Sequence, residues 1–277
     1  AEIAEKHPLS EGLSLLQHGH FTWGDSAKQS YDRVIEHTNQ VETWFADRRH
    51  KTQCQGIKPT PSKPLRIIND LKKALIKSSS KASQSFVLNW INNADIIAQI
   101  DQHISNGVFE RGVATPDHVI RIKSKPLIVT KALQSGEADS MLNAIEDYVA
   151  DYTQYFNTWS AVATSPKTML NPLPKLVWVE GMGMIGIGSS KKEAKIITDL
   201  GVQNVQVITD GESAGGFYPV SGKDLFDMEY WSLEQAKIGK TSPLPLQGKV
   251  TVITGAGGTI GSAIVEVFET AGAEVVA

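Results

Sequence analysis

The chain has 277 residues, of which 41% are hydrophobic and 21% charged, proportions that suit a globular protein with one large domain or two ordinary ones. Its 27 basic and 30 acidic residues leave a net charge of −3 and an isoelectric point near 6.2, which excludes the overall basic field of a nucleic-acid binder. Cys54 is the lone cysteine, so internal disulfides and paired-cysteine metal or redox motifs are excluded as well.

The first predicted element is a short strand in GLSLLQHG, carried by Leu13, Leu15 and Leu16, after which Gly24-Asp25-Ser26 supplies a turn and a helix cap. Tyr31, Val34, Ile35, Val41, Trp44 and Phe45 then recur at helical spacing to about Ala46. From His50 to Pro64 the prolines and Gly56 interrupt any periodicity and mark a linker. Its lysines, with those of the helix that follows, form a solvated basic stretch over 51–85. A second region opens with a helix carrying Ile67, Ile68, Leu71, Leu75 and Ile76, a polar break SSSKASQS and a strand SFVLNW. Asp117–Ile122 and Leu127–Val129 read as strands around Pro126, and Met141 to Phe156 as one face of a helix. KLVWVEGMGMIGIGSSKKEAKIITDL repeats the opening grammar of strand, glycine turn and helix.

These two units superimpose without a gap at an offset of 164 residues, which takes Gly24 onto Gly188, Gly19 onto Gly183 and Leu15 onto Val179. At that offset His18 falls on Met182. An imidazole at the end of an apolar strand, followed by glycine, can point out of a sheet edge toward ligands from other loops, although a lone His is more often structural. His20 raises a His-x-His chelate as an option, since alternate strand positions share a face. If His18 does bind a metal, the first copy could hold one and the second could not.

PLSEGLSLLQHGHFTWGDSAKQSYDRVIEHTNQVE resembles the C-terminal part of a class II, zinc-dependent aldolase of the aldolase/adducin superfamily, and in particular rhamnulose-1-phosphate aldolase. The resemblance implies that His18 is the third zinc ligand. The family's other two ligands and its general-base Glu precede this element and cannot lie in the 17 residues before His18. The family usually has an apolar residue where His20 stands, so no metal role passes to it. The likeness continues through GVATPDHVIRIKSKPL, the second repeat and DLFDMEYWSLEQAK, an order similar to the bifunctional proteins that place such an aldolase before a short-chain dehydrogenase. For Asp117 and His118 two readings stay open, a structural strand start and a substrate contact.

The C-terminal VTVITGAGGTIG follows a buried-type strand and opens a helix, with Gly255, Gly258 and Gly261 at regular spacing. Small residues there let backbone approach a pyrophosphate at a helix N-terminus. Thr254, Gly255, Gly257, Gly258, Ile260 and Gly261 are the expected NAD- or NADP-contacting set, as in the short-chain dehydrogenase loop, with Thr259 where that family often has Gly. No Tyr is followed by Lys at the fourth position, and the acidic ribose contact belongs beyond Ala277. The chain also opens without Met, so the expectation is an internal piece of a longer enzyme.

The fold class expected is therefore α/β, with class II aldolase/adducin-like αβα layers followed by the first β-α-β of a Rossmann fold. Residues 1–50 form the end of one aldolase domain, 51–240 a second aldolase-like repeat lacking the metal His, and 241–277 a truncated dehydrogenase start. The resemblance implies aldol cleavage of a sugar phosphate, oxidation of the aldehyde product, a partial Zn site and a partial NAD or NADP site. It also implies a homo-oligomer with small-molecule substrates. The lone cysteine points to a cytoplasmic setting, and the acidic charge balance and the lack of an 18-residue apolar run give the expectation of no nucleic-acid or membrane partner. An adducin-like scaffold or assembly module is the alternative. Apolar edges at both ends predict self-association of the isolated piece.

Overall fold

Ser26 accepts a hydrogen bond from the Gln29 N–H and so starts the first long helix, α1 (Ala27–Arg49). Ahead of it lies an antiparallel hairpin, β1 (Gly12–Leu15) and β2 (Gly19–Thr22), joined by the three-residue loop Leu16-Gln17-His18. The computed structural model describes residues 5–49, 65–79, 85–137, 139–238 and 244–277. The expected linker over 50–64, and most of the polar break before the next strand, lie outside the described residues. Contacts divide the chain into two units, Ala1–Gln53 with Thr209–Val220, and Cys54–Ile208 with Ser221–Ala277.

In the second unit α2 (Leu65–Ser78) precedes β3 (Val87–Ile91). Asn93 then caps α3 (Ala94–Asn106) by accepting from the Ile96 N–H, and Gly107, at φ 70°, ends it. A 3₁₀ turn (Val108–Arg111) leads to α4 (Pro116–Ile122). Asp117–Ile122, expected as a strand, is thus helical. Thr115 caps the segment through the His118 N–H and Pro116 occupies the first turn, a start signal that outweighs the β-branched Val119, Ile120 and Ile122. β4 (Leu127–Val129), the short α5 (Lys131–Gln134) and α6 (Ser140–Ser160) follow.

The expected strand, glycine turn and helix after Lys175 is a second hairpin, β5 (Leu176–Val179) and β6 (Gly183–Gly188), before α7 (Lys191–Ser213). The glycines that read as a turn lie inside β6. A Cβ on Gly186 would sit 2.6 Å from the Ala194 carbonyl oxygen and one on Gly188 2.5 Å from the Ala194 nitrogen, so they let α7 close onto the strand. The sheet order is β3-β6-β5-β4, with β4 and β5 parallel and the other pairs antiparallel.

Val177, Val179, Ile185 and Ile187 meet Leu71 and Leu75 of α2 and Ile145 of α6 in one apolar core. On the other face Gly201 of α7 admits Leu176 and Met184, and Trp178 meets His103 of α3. The sheet is therefore sandwiched between helix layers. After α8 (Gly222–Glu229) and α9 (Ser232–Ile238), β7 (Val250–Val252), α10 (Thr259–Thr270) and β8 (Glu274–Val276) form a β-α-β unit with parallel strands. Val250, Val252, Ile260 and Val267 are exposed on it, and Leu15, Phe21 and Trp44 on the first unit, the apolar edges expected.

Candidate functional site

The two hairpin–helix units coincide element by element. Gly12–Leu15, Gly19 and Ala27–Arg49 recur at Leu176–Val179, Gly183 and Lys191–Ser213, each 164 residues on. The register coincides too, since Leu15 pairs with Gly19 as Val179 pairs with Gly183. In both loops the last residue donates its N–H to the end of the first strand, His18 to Leu15 at 3.2 Å and Met182 to Val179 at 2.9 Å. The middle residue is left-handed in both, Gln17 at φ 57° and Gly181 at φ 74°. Gln17 is held there by its side-chain amide, which donates to the Tyr218 and Pro219 carbonyls at 3.0 Å each.

His18 is exposed and stacks on Phe21 with ring centres 5.8 Å apart. His20 is engaged at both nitrogens, with the Ser14 hydroxyl at 3.1 Å and His37 at 2.9 Å. His20 and His37 stand where the second copy has Met184 against Gly201, so a polar bridge replaces an apolar contact. Among the described residues no group of three or more His, Cys, Asp or Glu could hold a metal ion. One free imidazole does not make a zinc site, and these residues do not fit the metal by themselves.

The second hairpin's loop is closed by its neighbours. The Gly181 N–H donates to Asp101 at 2.7 Å, the Trp90 indole to the Met182 carbonyl at 2.9 Å and the Gln134 amide to the Glu180 carbonyl at 2.8 Å. Burial raises the pKa of Asp101, with Glu180 adding to the rise against the Gly181 hydrogen bond and Lys131.

The glycine loop gathers Thr254 to Gly261 at the start of α10. Gly255 is left-handed at φ 74° and its carbonyl accepts from the Gly258 N–H at 3.0 Å. A Cβ on Gly261 would lie 2.1 Å from that same carbonyl, so only glycine lets the helix start so close to the loop. A Cβ on Gly257 would meet nothing within 4 Å, and no side chain caps the helix at Gly258. Thr254, Gly255, Gly257, Gly258 and Ile260 are exposed. Open backbone at an uncapped helix N-terminus fits a pyrophosphate.

His118 and the Glu229-Tyr230 pair are built into the interior. The Thr115 hydroxyl lies 2.7 Å from His118 Nδ1, and burial lowers the imidazole pKa against the raising influence of Asp117 and the Leu200 carbonyl. His118 is thus held from within its own segment by Thr115, and its Nε2 is buried without a hydrogen-bond partner among the described residues. Glu229 accepts from the Tyr152 hydroxyl at 2.8 Å, and Tyr152 and Tyr230 hydroxyls are 2.7 Å apart. Lys123, left-handed at φ 65°, sets its ammonium 3.4 Å from the Tyr152 ring centre. Burial pulls the Lys123 pKa down to about 8 against the attraction of Glu229, and pushes the Glu229 carboxyl and Tyr152 hydroxyl up. In the sequence DLFDMEYWSLEQAK served only as part of the family resemblance and this network was missed, since nothing in one dimension joins Lys123 or Tyr152 to Glu229.

Layers, tandem hairpins and interior together define the class. Residues 64–238 match the family described as aldolase class II, second domain, and the chain belongs to that family. Among individual proteins, it is 24% identical over 284 aligned residues to the uncharacterized oxidoreductase YuxG of Bacillus subtilis (strain 168). That alignment takes in 100% of this chain and 41% of the relative, so the chain spans about two-fifths of the length of the curated relative it matches. No solved structure matches it. No helix among the described residues is long and apolar enough to cross a membrane.

Proposed function

We propose that the chain belongs to a bifunctional enzyme that joins aldol cleavage of a sugar phosphate of the rhamnulose 1-phosphate type to NAD-dependent oxidation of the aldehyde released, of the lactaldehyde type. One observation carries this reading. The β-α-β unit that carries a loop suited to a dinucleotide is seated on a class II aldolase second domain, with the Gln247 amide donating to the Ser189 hydroxyl at 2.9 Å and Lys191 3.6 Å from Glu274. The printed name of the Bacillus relative, an oxidoreductase, agrees with the second half of the reading.

In this reading Gly255, Gly257 and Gly258 present backbone to the pyrophosphate, Gly261 keeps α10 close behind it, and Thr254 and Ile260 flank it. Bound NAD or NADP would supply the hydride acceptor. His18 is this chain's contribution to a zinc site whose other ligands are not among the described residues. The second hairpin, with Met182 in the His position and its loop closed by Asp101 and Trp90, serves as a support. The setting that goes with this function is a cytoplasmic homo-oligomer acting on small molecules.

The test uses the whole protein supplied with rhamnulose 1-phosphate and NAD. Dihydroxyacetone phosphate and NADH should both appear, and Gly261→Val should abolish NADH while sparing dihydroxyacetone phosphate. Absence of cleavage, or NADH formation indifferent to Gly261→Val, overturns the proposal.

A further inference from the structure

In the second unit α6 lines a cavity of about 360 Å³, within the usual size range of small-molecule pockets. Tyr148, Tyr152 and Tyr155 lie at i, i+4 and i+7 on one face of α6, and Phe109 from the 3₁₀ turn faces the same space. Asp147 and Asp151, one turn apart on the neighbouring stripe, line it too, and both are exposed. The walls are therefore aromatic and the mouth carboxylate.

The charges of the remaining wall cancel. Lys125 forms an ion pair with Glu110 inside the lining. Behind Tyr152, Lys123 and Glu229 attract each other. Asp147 and Asp151 have no ion-pair partner among the described residues, so they set the field of the cavity. That field repels a phosphate or carboxylate and attracts a cation. Tyrosine faces add a second attraction for a cation, and the Lys123 ammonium against Tyr152 shows one of these rings already used in that way from within the fold.

We propose that this cavity binds an organic ammonium ion with an apolar or aromatic body. The body stacks among Tyr148, Tyr155 and Phe109, and the ammonium is held by Asp147 and Asp151. The site shares no residue with the glycine loop or with the His18 hairpin, and it does not depend on the aldolase or dehydrogenase reading.

Three probes with one body and three charges test it by calorimetric titration of the full chain: 2-phenylethylamine, 2-phenylethanol and phenylacetate. The amine should bind saturably, roughly tenfold or more tightly than the alcohol, with phenylacetate weakest, and added salt should narrow the gap. Asp147→Asn combined with Asp151→Asn should remove the preference for the amine. Glu146→Gln, on the same helix but outside the cavity lining, should keep it. Alcohol binding equal to that of the amine, no saturable amine binding, or equal loss in Glu146→Gln and the double variant would each overturn the proposal.

Discussion

The two hairpin–helix units share bounds, register and loop geometry, yet one is a core and the other a surface. Val179 and Ile185 of the second copy are 1% and 0% exposed, while the corresponding Leu15 and Phe21 are 41% and 48% exposed. Two long helices and two further strands bury the second hairpin. Local sequence therefore sets the hairpin and the helix, whereas the neighbours set how much each residue contributes. Burying one Val, Leu or Ile is worth about 1.5–3 kcal/mol, so identical backbone can carry very different energy in the two places.

Substitutions at matched positions sharpen that contrast. The largest effect is expected at Gly183→Ala, where φ is 99° and the new Cβ would lie 2.1 Å from the Ile91 carbonyl oxygen. It should cost about 3 kcal/mol or more in urea denaturation. Gly19→Ala meets nothing within 4 Å, and its cost should stay below about 1 kcal/mol. Equal costs would mean that the first hairpin is covered as the second is.

Next comes Ile185→Ala, expected to cost about 2–5 kcal/mol, against about 1 kcal/mol or less for Phe21→Ala in the same assay. Smaller still is the effect of Asp101→Asn. The raised pKa of Asp101 makes its protonated form the better fit to the fold, so the wild type should lose stability as pH rises from the ordinary carboxylate range through that raised value. The variant should lack this slope in melts taken across the acid range, and an unchanged slope would remove Asp101 from the account. The smallest effect on the fold is His18→Ala, within about 0.5 kcal/mol because the ring is exposed. In the whole protein it should nonetheless lower zinc content by metal analysis, while Met182→His should add none.

The repeat was legible in sequence because a hairpin and its following helix are specified by near neighbours: Gly19 and Gly183, Ser26 as cap, and the gapless run between them. The glycine loop was legible for the same reason, being local. β6 was misread as a turn because its glycines answer to α7 and β3 packed on them. α4 was misread because β-branched residues masked a Thr-Pro start. Lys123 and Glu229, each harmless on the page, meet only when α4 and α8 pack, and the Tyr148 cavity gains its Phe109 wall only from the 3₁₀ turn, far from α6 in sequence.

The seat of the C-terminal β-α-β unit sets a limit on how this tandem could change over time. Leu246 and Lys249 bond into the unit through Ala271 and Glu274, while Gln247 reaches Ser189 and Gly248, at φ 75°, lies where a Cβ would be 2.6 Å from Ser85. Each of four successive residues thus has its own assignment. An insertion or deletion there would re-aim α10, so length is under tighter constraint in this four-residue stretch than side-chain identity is across most of the surface it joins.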